Sequence, residues 1–162
     1  MSGWDERNNG IVANSKYIFN NEAFGTVAIA SVMRYSKILS YSKALLILPF
    51  FAHKETLELL KRSNSDVRSI EQLIAKKNNL VTNFNARYLS LLPISINSIV
   101  LLNEIRVLEN NSGNIEYCGN SFDFNHKKLG NRARDIIKAS EKLSYILQKD
   151  ATNLYLQLRV QI

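Results

Sequence analysis

The sequence predicts a mainly α-helical protein with one small β-hairpin: a helical N-terminal half followed by a winged-helix-like half. Three observations carry this. Apolar residues recur at helical spacing over 22–38 (Phe24, Val27, Ala28, Val32, Tyr35, then Leu39), and over 131–149 Ala133, Ile136, Ser140, Leu143 and Leu147 share one mainly apolar face with Leu129. The stretch "NNSG" supplies a turn between two short β-rich runs, 105–109 and 114–118, with Gly113 free to take positive φ. Helices that lead directly into a hairpin have the order of a winged helix, with the hairpin as wing.

The elements follow in order. Residues 1–19 show no period and read as an arm, and Asn20 or Asn21 can cap the first helix. "SYSKALLILPF" reads as a short buried helix that Pro49 ends or kinks. Thr56 stands at the start of a helix through "LELLKR", and "RSNSD" (62–66) is a polar loop. A helix over 67–76 is broken by "KKNNLVTN". The next runs over 84–92, Pro93 ends it, and Ser95 or Asn97 opens another that finishes near Glu104. Gly130 precedes the best helix, and "NLYLQLRVQI" alternates from 154 to 162, predicting a strand added to the wing sheet. The organisation expected is a single compact unit over 1–162, with N-terminal helices at 20–62 and, at 63–162, a winged-helix-like part with a basic C-terminal helix.

A chain of 162 residues, 46% hydrophobic and 22% charged, can bury a core without crosslinks. The single cysteine, Cys118, permits no internal disulfide and fits a reducing cytosol. The N-terminus is polar, unlike a signal peptide, and the longest apolar run, 44–52, is too short to span a bilayer. A soluble, cytoplasmic chain with no membrane partner is expected. The net charge of +7 points to an anionic partner.

Catalytic chemistry finds little support. His53, Lys54 and Glu55 could supply an acid and a base, but a histidine at a helix boundary is more simply bonded to backbone. One cysteine and two distant histidines, His53 and His126, make no zinc site. There is no phosphate loop, no GxSxG and no GxGxxG, and the scattered carboxylates argue against a small nuclease. The sequence therefore predicts a non-enzyme without catalytic residues, metal or cofactor.

Two surfaces are singled out instead. The segment before the hairpin, "ISINSIVLLNEI", has no Lys or Arg, and the hairpin tip "ENNSGNIE" is neutral to acidic, so this face suits protein better than phosphate. That argues against a free-standing winged-helix DNA-binding regulator, the main alternative. Residues 127–149 hold seven cations against two acids. Arg134, Lys138, Lys142 and Lys149 lie opposite the apolar face of that helix, either as a solvated face or as contacts to a DNA backbone or an acidic partner.

Taken in order, the landmarks resemble the middle component of prokaryotic three-component ABC ATPase systems, a group that includes the accessory subunit of Lamassu-type anti-phage and anti-plasmid defence. "NNEAFGTVAIASVMRYS" is similar to that family's Asn-Pro-Ala-Phe opening through Asn21, Ala23 and Phe24, with Glu22 in place of the proline. "LLILPFFAHKETLELL" resembles its Leu-Pro and His-x-x-Thr segment through Leu48, Pro49, His53 and Thr56. "NARYLSLLP", "KLGNRARD" and "NLYLQLRV" extend the likeness over nearly the whole chain. The resemblance implies an adaptor that joins an SMC-like or Rad50-like ABC ATPase to a nuclease-type effector and meets DNA through the complex. Asn21, Phe24, Pro49, His53 and Thr56 are then structural landmarks, not reaction groups.

Overall fold

A computed structural model describes residues 22–119 and 122–162. The expected Asn20 or Asn21 cap and the 1–19 arm lie outside the described residues. The remainder is mostly helical with one small antiparallel sheet, the class the sequence predicts.

The first helix, α1 (22–36), is more deeply set than a one-faced helix. Ala28, Ile29, Ala30, Ser31, Val32 and Met33 are all fully buried, so neighbours surround it, while Tyr35 near its end is exposed. It stops at 36, short of the expected 38, because Lys37 turns to φ 66° and donates its N–H to the Met33 carbonyl at 2.9 Å. Leu39 therefore belongs to a strand, β1 (Ile38–Ser40), and not to the helix face.

Ser40 closes β1 and caps α2 (Tyr41–Ala44), its hydroxyl accepting from the Lys43 N–H. Next, α3 (Ile47–Ala52) contains Pro49 in its first turn, where the missing N–H has no intrahelical acceptor to lose. The segment is broken at Leu45–Leu46 into α2 and α3, and Leu45 carries the carbonyl that Pro49 has no N–H to reach; Pro49 does not end α3, which ends where His53 goes extended (φ −82°, ψ 106°). Beyond it lie α4 (Lys54–Leu60), α5 (Ile70–Lys76), capped by Ser69, and the single-turn α6 (Asn79–Thr82). The start of α5 at Ile70 rather than 67 follows from that Ser69 cap, which accepts from the Gln72 N–H at 3.2 Å.

The largest departure is α7, one unbroken helix over Phe84–Glu104. From the sequence, Pro93 predicts a split here. It sits instead on the exposed side, as does Leu89 four residues earlier, so the carbonyl deprived of its intrahelical donor lies on the hydrated flank. Arg106, at φ 60°, then turns the chain out, with Val107 N–H bonded to the Leu102 carbonyl.

The hairpin follows as β2 (Leu108–Asn111) and β3 (Asn114–Tyr117). Ser112 and Gly113 both have positive φ (50° and 84°), the two-residue turn whose twist matches antiparallel strands. The sheet order is β1-β3-β2, with Leu39 and Asn110 both registered against Ile115. Leu39, Leu108 and Ile115 are buried beneath it. The outer strand β1 comes from the segment between the first two helices, so the sheet draws on both halves of the chain.

Helix α8 (Asn131–Ile146) buries Ile136, Ala139, Ser140, Leu143 and Ile146, close to the face expected. The C-terminal segment is a helix, α9 (Ala151–Gln157), and not the expected strand. Asp150 caps it, and the residues it buries, Leu154 and Leu158, are four apart, whereas Leu156, which a strand pairs with them, is 73% exposed. Tyr155 holds α9 in place: its hydroxyl donates to the Ser42 carbonyl at 2.7 Å and lies 3.2 Å from the Tyr88 hydroxyl.

Candidate interaction surfaces

The His53 turn joins two helices. Its backbone N–H bonds to the Phe50 carbonyl at the end of α3, and its carbonyl accepts from Leu57 N–H in α4. The ring caps α4 in the way a serine or aspartate usually does: Nδ1 accepts from the Thr56 N–H at 3.3 Å and lies 2.8 Å from Thr56 Oγ1. Thr56 is fully buried, so Nδ1 is the partner its hydroxyl needs. Burial, with the Arg87 charge nearby, lowers the His53 pKa below its ordinary value, against a smaller opposing pull from Glu55. Near pH 7 the ring is neutral, with Nδ1 as acceptor. Among the described residues no group of three His, Cys, Asp or Glu side chains could hold a metal ion. Chemically, the arrangement is a cap.

The second surface is α7. Among the described residues it is the one helix long and apolar enough to cross a membrane by length and composition. Phe84, Tyr88, Ile99 and Leu102 nevertheless lie in the protein core, with Phe84 edge-on to Phe50 at 5.1 Å. Its outer side is also apolar. Leu89, Ile96 and Val100 are each about half exposed and, with exposed Pro93, are spaced three or four apart along one stripe. Beside Ile96 and Val100 runs a groove of about 170 Å³ reaching Tyr41, Leu45, Leu108 and Ile115. Composition alone flagged the lack of charge here; that the stripe faces outward is decided by packing.

The third surface is basic. Of the four cations picked out, Arg134 and Lys138 on α8 are exposed. The other two are occupied within the chain. Lys142 Nζ donates to the Arg62 carbonyl, and Lys149 pairs with Glu71 at 2.8 Å. Glu71 also accepts from Gln157, and these bonds hold its carboxyl down at about 2. A different set of groups gathers around Arg134 and Lys138. They border a groove of about 300 Å³ with Phe124, His126, Leu129 and Ile137. From α1, the Arg34 guanidinium lies 4.1 Å from the Phe124 ring centre, and the Phe122 ring packs tilted (47°) against Phe124 with centres 4.8 Å apart. His126 Nδ1 accepts from the Lys128 N–H at 3.1 Å, which leaves Nε2 as the ring's donor. The sequence signal for this cluster, the aromatic and basic run "FDFNHKK", was open to view, but nothing in it pointed to Arg34.

Of the remaining landmarks, Phe24 is half-buried under the Arg132 guanidinium at 4.2 Å, Pro49 is buried in α3, and Asn21 lies outside the described residues.

A family model described as "ABC-three component (ABC-3C) system Middle Component 3" matches residues 11–162. No curated protein and no solved structure shows a significant match.

Proposed function

The chain belongs to the middle components of three-component ABC systems, and on that premise we propose that it is a non-catalytic adaptor joining an SMC-like ABC ATPase to a nuclease-type effector. The setting is defence of the Lamassu type against phage or plasmid DNA. The adaptor docks on the ATPase, holds the effector inactive, and releases it when the ATPase engages foreign DNA or DNA ends.

The observation that carries this reading is the outward apolar stripe of α7, Leu89, Pro93, Ile96 and Val100, on a segment that from Ile94 to Glu104 has no cation. A row of half-exposed aliphatic side chains beside a groove is what a permanent protein partner covers. The strand order β1-β3-β2, with α7 running directly into the hairpin, supports a winged-helix reading in which α7 takes the position that meets DNA in DNA-binding relatives of that architecture. Without cations on that stretch, the position suits protein.

The test is co-expression of the full chain with the ATPase and effector components of its three-component system. One co-purifying complex is expected. The variant Ile96→Asp/Val100→Asp, both at exposed positions, should fold by circular dichroism yet fall out of the complex. A wild-type chain that elutes as a monomer and ignores both partners overturns the reading.

A further inference from the structure

The basic cluster around Phe124 is a separate feature from the α7 stripe. We propose that this groove binds the sugar–phosphate backbone of nucleic acid. The inference extends the adaptor reading but is measured independently of it.

Three parts of the chain converge here: α1 through Arg34, the 122–130 segment through Phe124 and His126, and α8 through Arg134 and Lys138. Lys127 and Lys128 follow His126 directly. Among the described residues no ion pair engages any of these cations, whereas Lys61, Lys76, Lys77 and Lys149 elsewhere all have carboxylate partners. Of the acids nearby, Asp135 is paired with Lys61, while Asp123 and Glu141 are bonded to neutral donors, the Asn125 N–H at 2.9 Å and the Tyr145 hydroxyl at 2.8 Å. Five cations, Arg34, Lys127, Lys128, Arg134 and Lys138, against these two acids leave a local positive excess, which is the footprint of a phosphate contact.

The groove also has structure that a merely solvated face lacks. Phe124, Leu129 and Ile137 supply an apolar floor, and His126, Arg134 and Lys138 stand at its rim. Arg134 and Lys138 are one helical turn apart, about 5–6 Å between their Cβ atoms, close to the spacing of successive phosphates. Arg34 is already oriented on the Phe124 ring, so less of its freedom is lost when it meets an anion. The aromatics here are flanked by one another and by Arg34, so base readout is not required. The expected ligand is the backbone, in single-stranded or duplex form.

The experiment uses the purified full chain and fluorescein-labelled oligonucleotides, one a single strand and one a duplex, followed by anisotropy across a salt series. Arg134→Gln/Lys138→Gln should weaken binding about tenfold, and each lost contact should reduce the slope of log affinity against log salt by about 0.9 for duplex or about 0.7 for single strand. Arg34→Gln should weaken it in the same direction. Lys54→Gln/Arg159→Gln removes the same charge elsewhere on the surface and should change affinity less than twofold. An equal loss in that control overturns the proposal, since net charge alone then explains binding. So does a wild-type chain that binds neither oligonucleotide. If it binds neither and Arg134→Gln/Lys138→Gln releases the ATPase, the groove takes an acidic protein instead. Co-purification reads the adaptor function separately: the groove variant should lose nucleic acid and keep its partners.

Discussion

Gly25 of α1 and Ser98 of α7 touch where the two helices cross, and the contact leaves no room for a side chain. A Cβ built on Gly25 stands 2.1 Å from Ser98 Oγ, 3.2 Å from Ser98 Cβ and 3.4 Å from Ile94 Cγ2. The Ser98 hydroxyl is turned back to donate to the Ile94 carbonyl at 2.7 Å, so it presents itself to α1 as a small group. Closeness at this crossing fixes how α7 lies, and with it which side of α7 faces outward.

Gly25→Ala should therefore destabilise the fold, although alanine is the better helix former. The expected loss is about 1–3 kcal/mol, the range for overpacking a filled contact. Ser98→Ala removes the 2.1 Å clash but keeps the Cβ at 3.2 Å, so the double variant should recover part of the loss. Urea unfolding of the four proteins gives the coupling. Additive effects would show that the helices do not meet at this pair.

The His53 cap predicts both a substitution effect and a pH effect. His53→Ala should cost about 0.5–2 kcal/mol, as loss of a helix N-cap does, and His53→Ser should recover most of it. The folded ring has its pKa lowered from 6.5, mainly by burial, so the unfolded chain binds the proton more readily. Stability from this group is then fully present above pH 6.5 and is lost as pH falls through the lower, folded value. Unfolding followed between pH 7.5 and pH 5 should show wild-type protein losing stability that His53→Ser does not lose. Parallel curves for the two would remove His53 as the cause.

Glu71, Lys149 and Gln157 tie α5 to the end of α8 and to α9. The Glu71 carboxyl, held at about 2 by its bonds to Lys149 and Gln157, should titrate well below an ordinary glutamate by carbon-detected NMR. In Lys149→Gln its midpoint should rise toward the usual range. The sign follows: the folded value is depressed, so the stabilising contribution is present above pH 4.5 and disappears as pH falls toward 2. Because Lys149 is engaged here, Lys149→Gln should leave oligonucleotide affinity within twofold of wild type. A drop matching Arg134→Gln/Lys138→Gln would show that the whole outer face of α8 acts together.

Much of the architecture was legible in local sequence because local physics suffices for it. The Ser112–Gly113 turn needs only two residues that tolerate positive φ between strand-forming runs. The apolar period of α8 and the "RSNSD" loop are likewise set by neighbours a few residues away. The lack of cations between Ile94 and Glu104 and the cation excess after Lys127 are composition, and needed no coordinates.

Other features belong to the tertiary structure, since long-range packing overrides a short-range preference there. Alternation at 154–162 reads as a strand, yet the Asp150 cap and the burial of Leu154 and Leu158 make α9, with Tyr155 bonded to the distant Ser42 carbonyl. Pro93 reads as a break, yet α7 continues because its core face is held on both sides of the proline by Tyr88 and Ile99 while Pro93 itself meets solvent. A helical wheel puts Arg134, Lys138, Lys142 and Lys149 on one free face. Only the arrival of the Arg62 carbonyl and Glu71 takes two of them away, and only the placement of α1 beside the 122–130 segment adds Arg34 to those that remain. Propensity acts within a turn or two of chain; which charges stay free depends on what the rest of the chain brings to them.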